Sequence, residues 1–192
     1  IVVDDSGIEA GALQPMGLEK FQRAQQLALE NGLPFVHLVE SAGANLLRYR
    51  VEDFIFGGSH YARLARLSAA GIPVLTIVHG SATAGGAYMP GMSDFVVMVR
   101  DRARAFLAGP PLLKAATGEI ATEEERGGAL MHAAVSGLAE YLAEDDADAM
   151  PGAAPSPQHA ASRHAMPLMA FAFAVVAFVS TAMASHLPRL LQ

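Results

Sequence analysis

The sequence predicts an α/β fold with parallel strand pairing. Three observations carry this prediction. Short apolar runs suited to buried strands recur at residues 34–39, 73–78 and 95–99. A stretch of helical periodicity precedes each of the first two, closed by a glycine, Gly32 and Gly71. The run at 73–78 then enters a turn of small residues, Gly80-Ser81-Ala82-Thr83-Ala84-Gly85-Gly86-Ala87-Tyr88, as a strand-to-helix connection does.

The elements follow in order. Ile1-Val2-Val3 reads as the end of a strand. Residues 17–31 predict an amphipathic helix, with Leu18, Phe21, Leu27 and Leu29 set among Glu19, Lys20, Arg23, Gln25, Gln26 and Glu30. Gly32 suits its left-handed cap. Residues 34–39 form a buried strand, and Ser41 to Ala44 the turn after it. Residues 57–70 predict a second helix and 74–78 a second buried strand, with a helix starting at Gly85-Gly86. Residues 95–99 give a further strand and 104–107 one more. Thr122 and Glu125 have the spacing of a capping box, in which the hydroxyl accepts from the third backbone N–H and the glutamate reaches back.

At 192 residues the chain is long enough for one domain with a sizeable core. It is 52% hydrophobic and only 17% charged, which suits a largely buried α/β domain or a globular part with an apolar segment. A formal net charge of −6 argues against nonspecific nucleic-acid binding. The absence of cysteine excludes disulfides, thiol catalysis and zinc–thiolate sites, and suits a reducing, cytoplasmic compartment. The seven histidines show no metal-ligand spacing, so no metal site is expected. His37 and His79, in apolar strands, read as satisfied core histidines. Asp145, Asp146 and Asp148 read as a solvated helix start.

The glycine turn carries the chemistry. Small residues let a ligand approach the backbone closely, and a helix N-terminus there aims unpaired N–H groups at negative charge. Such donors stabilise an oxyanion without a reactive side chain. The stretch lacks the Lys-Ser/Thr end of a phosphate loop, and Ser59 and Ser81 lack the glycine spacing of a nucleophile elbow. About twenty residues on comes Gly109-Pro110-Pro111-Leu112-Leu113-Lys114-Ala115-Ala116-Thr117-Gly118-Glu119.

With Leu38-Val39-Glu40-Ser41-Ala42-Gly43-Ala44, Met92-Ser93-Asp94, Gly127-Gly128-Ala129 and Ser136-Gly137, these segments resemble the N-terminal half of the carboxyltransferase (β) subunit of biotin-dependent acyl-CoA carboxylases, most closely the methylcrotonoyl-, geranyl- and propionyl-CoA carboxylase group. The resemblance runs from Val2 to Met150 and sharpens the fold to a crotonase-like ββα superhelix. Residues 1–150 are thus expected to form a carboxyltransferase N-terminal domain, incomplete at its N-terminus. Residues 151–164 read as a Pro/Ala-rich linker, and 165–192 as an apolar, helical tail matching nothing in the family. That tail fits out-of-frame sequence, with a membrane anchor or a docked helix as competing readings.

The resemblance implies carboxyl transfer from carboxybiotin to the α-carbon of an acyl-CoA, with biotin carried by a partner biotin carboxylase/carrier (α) subunit and none bound covalently here. It also implies a homo-oligomer, and an active site shared between the N-half of one subunit and the C-half of another. The backbone N–H groups of Gly43 and Ala44 are the expected oxyanion donors, both unpaired and facing a cavity shared with Gly85-Gly86. The family pattern Asp-Ser-Gly-Gly-Ala is Glu40-Ser41-Ala42-Gly43-Ala44 here. Gly85, Gly86 and Ala87 are expected to line the acyl-CoA pocket and Tyr88 to wall it. Lys114, Thr117 and Gly118 belong to the second motif, Lys114 pairing with a CoA phosphate or with Glu119. Arg48, Arg50, Arg100, Arg102 and Arg104 are further phosphate candidates. Beside each stands a plainer reading: a strand-to-loop turn, close helix–strand packing, a half-buried tyrosine, solvated surface cations. Two other functions compete. One is a crotonase-type hydratase or isomerase with Glu119 or Glu124 as base; the other is an inactive truncated or frameshifted chain.

Overall fold

The computed structural model describes residues 1–45, 47–48 and 50–149. The expected linker and apolar tail lie outside the described residues. The architecture is a parallel sheet whose strands alternate along the chain with helices. The strands are β1 (Val2–Val3), β2 (Phe35–Ser41), β3 (Val74–Thr83), β4 (Phe95–Val99), β5 (Arg104–Phe106) and β6 (Tyr141–Ala143). The order is β1-β2-β3-β4-β6, with β5 also on β3, and every pairing is parallel.

The long α1 (Pro15–Asn31) buries Leu18, Phe21, Gln22, Gln25 and Ala28. Pro15 fits its first turn, and Gly32 ends it at φ 63 with its N–H on the Ala28 carbonyl. The strand expected at 34–39 runs to Ser41 and alternates strictly between buried and half-buried positions. The helix expected over 57–70 is α3 (Ser59–Ala69), and a further helix not expected from the sequence, α2 (Val51–Gly57), precedes it. Phe54, Ile55 and Phe56 of α2 stay exposed, so no apolar stripe marks it.

Strand β3 extends five residues beyond the expected 74–78. Leu75 to Val78 pair with β4, and Ser81 to Thr83 pair with β5. Between them the β2–β3 register slips: Val39 pairs with Val78, but Ser41 pairs with Ala82. Glu40 lies over the slipped segment, its carboxylate occupying the space where a Cβ on Gly80 would stand. Short helices follow: α4 (Tyr88–Gly91), α5 (Pro110–Thr117), α6 (Glu123–Gly127) and α7 (Ala129–Met131). The capping box opening α6 is present, Glu125 N–H donating to Thr122 Oγ1 and Thr122 N–H to Glu125 Oε2. Residues 144–149 form turns rather than the expected helix. Asp146 pairs with Arg102, and Asp148 accepts from Tyr141.

The core joins Phe21, Phe35, Val39, Leu64, Leu67, Val74, Ile77, Val78, Met89 and Met98. Asp94 of the Met92-Ser93-Asp94 segment anchors it, accepting from Ser68 Oγ and, at 2.8 Å, from Val74 N–H. Gly127 lies against Phe106 and the Ala105 carbonyl, leaving no room for a Cβ.

Candidate active site

The turn after β2 and the turn after β3 meet backbone to backbone. Gly43 adopts φ 87, and a Cβ there would stand 3.1 Å from Thr83 O and 3.2 Å from Gly85 N. Gly86 backs onto Ser41 in the same way, a Cβ falling 2.9 Å from Ser41 O. The small residues of both motifs are therefore required by each other. Ala84 between them sits at φ 52, an uncommon conformation for a residue with a side chain.

The donors themselves are arranged by a third segment. Leu13 N–H donates to Gly43 O at 2.8 Å, and Asn45 N–H donates to Leu13 O at 3.4 Å. In a parallel bridge of this kind Leu13 engages the residues on either side of Ala44, so the Ala44 N–H points away from Leu13. Among the described residues none accepts from it. Gly43 differs from the expectation. Its N–H donates to Ser41 Oγ at 3.1 Å, because a serine two residues back reaches it through a local turn. Ser41 Oγ in turn donates to Gly11 O at 2.8 Å. The expected pair of unpaired donors is thus one unpaired donor, Ala44, and one held by a hydroxyl.

Gly85, Gly86 and Ala87 lie in a short 3-10 turn, Ala84–Ala87, and Tyr88 opens α4. Tyr61 of α3, which the sequence reading missed, donates from its hydroxyl to Gly85 O at 2.9 Å and meets the Tyr88 ring edge-on at 5.6 Å. Two surface hollows lie beside α1. A hollow of about 30 Å³ is lined by Pro15, Leu18, Glu19, Asp53 and Phe56. A groove of about 320 Å³ lies along Gln22, Arg23, Gln26 and Arg63. Neither touches the two glycine turns.

The second motif stands apart. Helix α5 buries none of its residues, Lys114 and Thr117 are exposed, and Gly118 caps the helix at φ 77. Thr117 Oγ1 donates to Leu113 O at 2.9 Å. Lys114 does not pair with Glu119, whose carboxylate is taken by Arg126. That ion pair also gives Arg126 a role the sequence did not supply. All five candidate phosphate-binding arginines are already engaged: Arg48 with Glu9, Arg50 with Asp53, Arg100 with Glu144, Arg102 with Asp146 and Arg104 with Glu123. These pairs are exposed or half-exposed and hold little energy, so a polyanion can compete for any of them.

His37 is buried as expected but not satisfied. Its Nε2 lies 3.3 Å from Asp4 Oδ1, and neither ring nitrogen makes a hydrogen bond. His79 faces Glu40 at 3.8 Å. Glu9, Gly11, Ser41 and Asn45 are the other residues that organise the site. Only Ser41 carried a signal, its place inside Glu40-Ser41-Ala42-Gly43-Ala44.

Comparison with known proteins gives a consistent picture. Residues 1–155 match the Carboxyl transferase domain family. The probable biotin-dependent acyl-coenzyme A carboxylase beta2 subunit of Mycobacterium tuberculosis is 54% identical over 150 residues, covering 78% of this chain and 28% of that protein. The biotin-dependent 3-methylcrotonyl-coenzyme A carboxylase beta1 subunit of the same organism is 48% identical over 155 residues, covering 78% and 29%. Among solved structures, the geranyl-CoA carboxylase beta subunit of P. aeruginosa superposes with a TM-score of 0.70 at 56% identity, covering 77% of this chain and 28% of that one. Transcarboxylase 12S, described as a hexamer and solved with methylmalonyl-coenzyme A bound, gives 0.69 at 33% identity, covering 76% and 28%. The crotonase-like fold expected from the motifs is borne out. The chain spans less than a third of the length of these relatives.

Proposed function

The chain belongs to the carboxyl transferase domain family, and from that premise we propose that it binds an acyl-CoA and stabilises the enolate of its thioester for carboxylation. The observation that supports this most directly is the Ala44 N–H, turned away from Leu13 beside a turn in which only small residues fit. Removing a proton from the α-carbon places negative charge on the thioester oxygen, and a fixed N–H answers that charge without reorganising. Gly43 supplies the second donor by releasing Ser41 Oγ, whose own proton remains on Gly11 O. An oxyanion is a stronger acceptor than a neutral hydroxyl, so the exchange is favourable.

Carboxybiotin on a biotin carboxylase/carrier partner would supply the carboxyl group as carbon dioxide and, once that has left it, the ureido group that takes the α-proton. No described residue is assigned to the biotin. Gly85, Gly86, Ala87 and Tyr88 are assigned to the acyl side, and Lys114, Thr117 and Gly118, exposed on α5 and at its end, to the CoA tail. The reading also implies a homo-oligomer in the cytoplasm. A hydratase is disfavoured because the sequence context of its two candidate bases, Glu119 and Glu124, resembles carboxyltransferases.

Calorimetric titration of the 192-residue chain with butyryl-CoA tests the proposal. Saturable binding is expected, weakened by Ala44→Pro, which deletes the donor N–H. A folded chain giving no heat with butyryl-CoA or propionyl-CoA would overturn it.

A further inference from the structure

We propose that Glu9 is the positioning residue for the Ala44 donor, acting through Asn45 and Gln14. The inference rests on the acyl-CoA reading above. Glu9 and Ala10 stand at φ 48 and 56 and Gly11 at φ 69, three consecutive left-handed residues of which only the last is glycine. Such a turn persists only where its surroundings over-determine it, and these conformations cluster at functional sites. Two kinds of contact do so here.

The backbone of the turn braces the loop after β2. Ala42 N–H donates to Ala10 O at 3.0 Å, and Ser41 Oγ donates to Gly11 O at 2.8 Å. A Cβ on Gly11 would collide with the Glu40 carbonyl, so the contact is as close as two backbones allow. The carboxylate then gathers the far end of the same loop. Glu9 Oε2 accepts from Asn45 Nδ2 at 2.5 Å and from Gln14 Nε2 at 2.6 Å, and Oε1 accepts from Arg48 Nη2 at 2.8 Å. Gln14 and Asn45 directly follow Leu13 and Ala44, the two bridged residues. One carboxylate thereby holds both strands of the bridge that sets the direction of the Ala44 N–H. Leu13 and Ser41 fix the Gly43 end without it, so Glu9 governs the Asn45 end alone.

Glu9→Gln and Asn45→Ala test this in the 192-residue chain, with two readouts. Amide hydrogen exchange at Asn45, whose N–H donates to Leu13 O, is expected to speed up about tenfold in either variant with the melting temperature unchanged. Exchange at Leu13 and Ala42, held by backbone partners, is expected to stay the same. The second readout is the ratio of affinities for butyryl-CoA and S-butyl-CoA, a thioether lacking the carbonyl oxygen. One neutral hydrogen bond corresponds to a preference of roughly 2- to 12-fold. Both variants are expected to lose that preference while binding the thioether as the wild type does, and the double variant to lose no more than either alone. Unchanged exchange at Asn45, or a preference retained in both variants, overturns the role of Glu9. If the wild type binds neither probe, the acyl-CoA reading fails, and the exchange data still decide whether Glu9 holds the loop.

Discussion

Gly43 and Gly85 touch through their backbones, and a Cβ on the first would stand 3.2 Å from the amide nitrogen of the second. Two motifs more than forty residues apart are thus one structural unit, joined across the slipped register of β2 and β3.

Gly43→Ala is expected to destabilise the chain by about 1–2 kcal/mol from the left-handed conformation alone, before the crowding against Thr83 O is counted. It should also weaken butyryl-CoA binding. Gly17→Ala gives the opposite sign. Gly17 lies inside α1 with nothing within 4 Å of a Cβ, so the substitution is expected to stabilise by about 0.5–1 kcal/mol. Urea denaturation of the two variants provides the comparison, and a destabilised G17A would contradict the open space seen there.

Tyr61→Phe removes the hydroxyl that donates to Gly85 O but keeps the ring against Tyr88. A loss of about 1 kcal/mol is expected. If Tyr61 holds the second turn in place, the affinity for butyryl-CoA falls as well. Unchanged affinity with lowered stability would limit Tyr61 to the fold.

Where local chemistry decides structure, the sequence was informative. Gly32 and the Thr122–Glu125 box end and begin helices as their residue types require, and 95–99 is a strand to the residue. Where distant contacts decide, it was not. Gly80-Ser81-Ala82 has turn composition, yet Ser81 to Thr83 are strand because Arg104 to Phe106 pair with them. Helix α2 was invisible because its phenylalanines face outward. At the site, Gly43, Ala44 and Gly85 could be named from motif alone. The left-handed turn at Glu9 and Ala10 could not, since no local propensity places a glutamate and an alanine there. Nor does spacing tell which arginines already have carboxylate partners.

Carboxylation assays define what the 192 residues do alone. The relatives are more than two and a half times as long, and by resemblance the biotin side of the site comes from another subunit. The isolated chain is therefore expected to bind CoA esters without forming carboxylated product when given free carboxybiotin. Product formation by this chain would show that the biotin side lies within it.

His60 makes stability depend on pH. Burial holds its imidazole down to about 4 from the ordinary 6.5, and neighbouring His37 pushes the same way, while the Gly57 carbonyl 2.7 Å from Nδ1 opposes them. Phe21 and Gln25 of α1 and His37 of β2 face it, and none carries a negative charge to stabilise the cation. Because the folded value lies below the unfolded one, the unfolded chain binds more protons between pH 6.5 and 4. Stability is therefore full above pH 6.5 and falls as the pH drops towards 4. The whole window is worth about 3 kcal/mol. Thermal melts of the wild type and His60→Gln from pH 7.5 to 4.5 check this. The variant is expected to be less stable at pH 7.5, since a glutamine fits the ring's place poorly, but to lose less on acidification. Parallel pH profiles for the two proteins would show that His60 does not carry the effect.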